Sequence, residues 1–150
     1  MLEKPVMFFA MVVFLFFIFA GGLVLFVGVS KWYQLQAETQ FVAATLGEYG
    51  GYTTVADQAI ADFCTQKNFD PHDLTVTVNP PGGYPVCYGN GLSVSMSYPF
   101  DQVVQLGRMS YLVFPVGFQL KTYAAALSTY VPQMGPGTPL EVTYVAPSFP

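Results

Sequence analysis

"MVVFLFFIFAGGLVLFVGV", residues 11–29, decides how this chain is read. It carries no charge, is crowded with Phe, and has two adjacent glycines, Gly21 and Gly22, at its centre. Extended back to Pro5, the apolar run Pro5–Val29 covers 25 residues. As an α-helix at about 1.5 Å per residue it reaches ~37 Å, enough to cross a hydrocarbon core of about 30 Å. A secretion signal has a shorter apolar region, followed by a small-x-small cleavage site. This run is longer and no Ala-x-Ala follows it, so removal after the helix is not expected.

Lys31, Trp32 and Tyr33 follow at once. A lysine beside two amphipathic aromatics is the pattern of a membrane exit. The period then continues: Trp32, Leu35, Thr39, Val42, Leu46 and Tyr49 recur at helical spacing, while Gln34, Glu38, Thr45 and Glu48 fall off that stripe. One long helix is expected over about residues 5–47, apolar all round at 5–29 and amphipathic at 30–47, ended by Gly47 and Gly50-Gly51. Each glycine of the Gly21-Gly22 pair costs about 1 kcal/mol relative to Ala inside a helix. A close helix–helix contact, a kink and a point of local unwinding during assembly all fit the pair.

The remaining residues, 48–150, suit one small head. Thr54–Lys67 reads as a second helix with Thr54 and Asp57 at its start, an apolar face of Val55, Ala56, Ala59, Ile60, Phe63 and Cys64, and Asn68 as its stop. "LTVTVNP" (Leu74–Pro80) and "LSVSMSYPF" (Leu92–Phe100) alternate as strands do. Residues 101–117 read as a loop against a neighbour or the membrane-proximal surface, Phe118–Val131 as a return strand, and Leu140–Val145 as a last short strand. The expected fold class is α+β, with a helix stripe covering a three- or four-stranded antiparallel sheet.

Composition narrows the function. Of 150 residues 53% are hydrophobic and only 9% charged, against about 25% charged in an ordinary soluble domain. Much of the surface is therefore expected to meet lipid or protein. The net charge is −4 and the five Lys and Arg are scattered, which disfavours nucleic-acid binding. Two cysteines, Cys64 and Cys87, fit a disulfide in an exported head, worth ~3 kcal/mol by loop closure. Such a bridge would put the C-terminal part outside the cell. The only His is His72, within "FDPHD"; Asp70, His72 and Asp73 fit a capped loop before a strand better than a metal or acid–base centre. No phosphate loop and no nucleophile triad pattern is present. No enzymatic activity, cofactor or metal is expected.

The order of parts resembles a family: an acid at Glu3, a long apolar helix, an amphipathic extension, a short second helix and a late antiparallel sheet. This layout is similar to that of type IV pilin-like subunits, and most similar to TadE-like proteins of tight-adherence pilus systems. "AATLGEYGG", "DLTVTVNP", "LSVSMSYPF" and "GFQLKTYAAALSTY" carry the likeness. The resemblance implies a subunit inserted in the cytoplasmic membrane and then assembled with copies of itself into a cell-surface filament by the pilus machinery. It also implies that Glu3 pairs with a neighbour's N-terminal amine. The chain departs from the pilin pattern at Met1 and Pro5, and either a leader precedes the numbered chain or processing differs. Glu3, Phe14, Phe17, Gly21 and Gly22 are the candidate assembly residues. A minor subunit held in the membrane and a single-pass module with a ligand-binding or adhesive head are the alternatives.

Overall fold

The computed structural model describes residues 3–81, 85–100, 103–106, 109–112, 118–131 and 142–149. The chain is α+β. Helix α1 spans Glu3–Tyr49 and α2 spans Thr54–Lys67. Strands β1 (Thr75–Asn79), β2 (Gly91–Pro99) and β5 (Gln119–Leu127) form an antiparallel sheet in the order β1-β2-β5, and β3 (Val103–Leu106) pairs with β4 (Met109–Leu112) in a second, two-stranded one.

Why α1 stops at Tyr49 is local. Gly50 takes φ +73, a left-handed conformation, and a Cβ there would lie 2.8 Å from the Val86 carbonyl oxygen and 2.8 Å from Tyr130 Cβ. Only glycine meets both conditions at little cost. The turn is tied by Val86 N–H donating to the Gly50 carbonyl at 2.7 Å. The cap of α2 lies one residue earlier than the sequence suggested. Thr53, in extended backbone, accepts from Ala56 N–H at 3.4 Å, and Asn68 closes the helix in the left-handed region at φ 54.

The sheet register explains the alternation. Val76 lies opposite Met96, which lies opposite Thr122; Val78, Val94 and Ala124 form the next such row. Val76, Val78, Leu92, Val94, Met96, Leu120 and Thr122 are buried on one face. The other face carries Thr75, Ser97 and Lys121 in one row, and Thr77, Ser95 and Tyr123 in the next. The inner face packs on the second half of α1, which lies chiefly across β5 and β2, with α2 against α1 as well. Leu35, Thr39, Val42 and Leu46 are fully buried, as their spacing predicts. Ala43 and Thr45 are buried too, although Thr45 falls off the predicted stripe. A helix that contacts both a sheet and α2 buries a broader arc than one that lies on a single surface.

Two expectations change. Residues 101–117 are not wholly loop, because β3 and β4 pair antiparallel, with Val103 opposite Leu112 and Leu106 opposite Met109. The continuous apolar run hid two short strands. The strand expected at Leu140–Val145 lies partly outside the described residues; within it, Tyr144 makes a single antiparallel bridge with Thr53. The adjoining tail is nonetheless tied down. Tyr144 Oη donates to the Tyr49 carbonyl at 2.8 Å, and Ser148 donates from both its backbone N–H and its hydroxyl to Asp57.

Candidate functional site

The candidate site is the surface of α1 itself, and it divides sharply. Of Lys4–Leu23, only Ala20 is partly covered and every other residue is exposed. Phe14 is 65% and Phe17 69% exposed, and a Cβ on Gly21 or Gly22 would meet nothing within 4 Å. Large apolar side chains exposed in an unbroken cylinder are stable only in lipid or against other protein. The helix is long and apolar enough to cross a membrane. Of the candidate assembly residues, Phe14, Phe17, Gly21 and Gly22 therefore lie on one bare rod. Glu3 begins the helix, and its side chain lies outside the described residues.

From Val24 onward the head takes hold. Val24 packs against the core, and a Cβ on Gly28 would come 3.2 Å from the Phe100 ring, so that ring sits close against the helix backbone. Val24, Leu25, Gly28, Val29 and Trp32 on the helix, with Phe100, Phe118 and Leu120 on the sheet side, line an apolar cleft of about 300 Å3.

Of the residues predicted at the membrane exit, Lys31 and Trp32 bind the head, while Tyr33 is exposed. Lys31 Nζ lies 5.0 Å from the Phe69 ring centroid and 5.7 Å from that of Tyr98, a double cation–π contact. Trp32 Nε1 donates to the Lys121 carbonyl at 3.3 Å, and its ring meets Tyr33 edge-on at 5.1 Å. Head contact starts seven residues before Lys31, at Val24. The sequence could not show this, because Phe100 and Phe118 are remote from the helix along the chain.

The cysteines are not joined. Both thiols are free: Cys64 is buried on the inner face of α2, and Cys87 is exposed on the β1–β2 connection. The disulfide expectation is corrected on that ground, since one sulfur faces the core and the other faces solvent. Burial, with the Glu38 and Asp70 carboxylates nearby, pushes the Cys64 thiol up. A thiol so placed stays protonated and is a poor nucleophile. Glu38 is itself pushed up by burial.

His72 is exposed, and its backbone N–H donates to Asp70 Oδ1 at 2.9 Å, so "FDPHD" forms a turn closed by its own aspartate. Among the described residues, no three His, Cys, Asp or Glu side chains converge as metal ligands would.

Compared with known protein families, curated proteins and solved structures, the chain matches none. Its rod and its head are left to carry the functional reading.

Proposed function

We propose that this chain is a structural subunit of an extracellular, type IV pilus-like filament, held in the cytoplasmic membrane by its apolar helix before assembly. One observation carries the reading: a helix of 47 residues of which Lys4–Leu23 is left bare by its own head. A lone anchor needs only apolar length. This one presents seven phenylalanines between Phe8 and Phe26 and a glycine pair open to close approach. Leaving lipid gains little hydrophobic energy, so packing between rods must supply the attraction, and small residues let helices come near. In the assembled fibre the rods are bundled at the centre and the heads face out.

A Gly21→Leu, Gly22→Leu double change tests it. Fibres recovered by shearing and seen by electron microscopy are expected to disappear, while the membrane-inserted chain keeps a folded head. Fibres unaffected by this change, or by deletion of the gene, would remove the major-subunit reading. A second reading, a TadE-like subunit that stays in the membrane, draws support from the head's grip on the apolar helix at Val24 and Gly28. Its mark is a copy number far below that of another filament subunit.

A further inference from the structure

We propose that the lower rim of the head, where Phe118 and the helix residue Leu25 are exposed beside the buried Phe100 ring, is a lipid-docking surface that sits in the interfacial layer of the bilayer crossed by α1. The membrane boundary then falls at Leu23–Val24 and not at Lys31. This deepens the membrane stage of the proposed function and requires only that α1 crosses a bilayer; it does not require a filament.

Length is the first argument. The stretch of apolar helix with no head contact, Pro5–Leu23, has 19 residues, and beyond it Leu25, Phe26 and Val29 stay exposed beside the covered Val24 and Gly28. At about 1.5 Å each that is ~28 Å, close to the ~30 Å hydrocarbon core. A boundary at Lys31 would instead draw the head's rim into the hydrocarbon. Position is the second. β5 runs alongside α1 in the same direction, with Trp32 bonded to Lys121, Gln36 to Tyr123 and Thr129 to Gly47. The end of the sheet nearest the bare helix is therefore where β2 finishes and β5 begins. At that end Phe100 N–H donates to the Phe118 carbonyl at 2.8 Å, and their rings meet edge-on at 6.5 Å.

Chemistry is the third. Phe118 is 63% exposed at this rim, and the cleft behind it has no polar lining residue except Trp32. The paired strands that follow Phe100 in the chain, β3 and β4, have the sequences VVQL and MSYL. Aromatic rings at the foot of a transmembrane helix match the headgroup–acyl boundary, where apolar bodies reach lipid and backbone polar groups still reach water.

The sole tryptophan makes this measurable. Trp32 lies nine residues beyond Leu23, ~13 Å along the helix and above a headgroup layer of about 5–7 Å. The full chain is reconstituted at low protein-to-lipid ratio in phosphatidylcholine vesicles carrying a nitroxide on the headgroup, high on the acyl chain, or near the chain end. Native Trp32 is expected to be quenched weakly by the headgroup label and not by either acyl label. In a Trp32→Phe background, the indole of Phe118→Trp is expected to be quenched strongly by the headgroup and high-chain labels. It should be shielded several-fold from aqueous iodide relative to that of Tyr123→Trp, which reports the outer sheet face.

Strong quenching of native Trp32 by the high-chain label would return the boundary to Lys31 and overturn the proposal. So would a Phe118→Trp indole open to iodide and untouched by labelled lipid. An indole shielded from both at every dilution would also overturn it, because a second copy would then fill the cleft. The native Trp32 measurement needs no substitution, so it stands even if a variant misfolds. None of these readouts depends on fibre formation.

Discussion

The two halves of α1 share one unbroken backbone ladder and little else. From Pro5 to Leu23 the side chains are apolar in every direction, and none is buried within the chain. From Val24 to Tyr49 the same helix places Leu35, Val42 and Leu46 in a shared core with α2 and the sheet. In the second half, the spacing of apolar residues specifies a fold. In the first, it specifies a surrounding medium or a set of neighbours. A substitution should therefore act on head stability in one half and on insertion or assembly in the other.

The sharpest test pairs Leu46→Ala with Phe14→Ala. Leu46 is fully buried, so its truncation is expected to cost the head about 3 kcal/mol. Phe14 is 65% exposed, and its loss should leave the head's thermal unfolding in detergent unchanged. If the two variants unfold alike, the division along α1 is wrong. Gly50→Ala comes next. It combines a left-handed conformation, costing about 1–2 kcal/mol for a residue with a Cβ, with a 2.8 Å approach to the Val86 carbonyl oxygen. Limited proteolysis should show a loosened head attached to an unaltered apolar helix.

Thr39 sharpens the comparison on a smaller scale. Its hydroxyl lies 2.6 Å from that of Thr122 and donates to the Leu35 carbonyl at 2.7 Å, while Thr122 also reaches the Met96 carbonyl at 3.4 Å. Thr39→Val should cost about 1–2 kcal/mol, and a double-mutant cycle with Thr122→Val should show coupling between the two positions.

The smallest effect is one of pH. Tyr52 is fully buried and donates to Asp57 at 2.9 Å; burial first, then Asp57, push its pKa upward. Its contribution is therefore complete below the ordinary tyrosine range near 10 and fades as pH rises above it, because the unfolded chain releases that proton first. Denaturant midpoints measured across that range should fall less steeply in Tyr52→Phe.

The helices were legible in the residues themselves. The 3-4 spacing from Trp32 to Tyr49 marked the covered half, and the range Thr54–Lys67 followed from its apolar face and its Asn68 stop, although the cap proved to be Thr53 and not Thr54. β1, β2 and β5 were legible because one face of each meets the core, which enforces alternation. The β3–β4 pair was not, since VVQL and MSYL do not alternate apolar with polar as the other strands do. Nor was the foot of the head, because Phe100 and Phe118 meet Gly28 and Trp32 only after folding. The cysteine spacing permitted a bridge, but spacing carries no information about which way two sulfurs face.

Val24, Gly28, Lys31, Trp32 and Gln36 are all held by the head, at the Phe100 cleft, at Phe69 and along β5. A shaft clasped at that many points cannot spin in its socket. Each helical residue turns the azimuth by about 100°, so the compass bearing of Gly21 and Gly22 is fixed relative to the sheet. Wherever these molecules stand side by side, the heading of one domain dictates which flank of its rod greets the next.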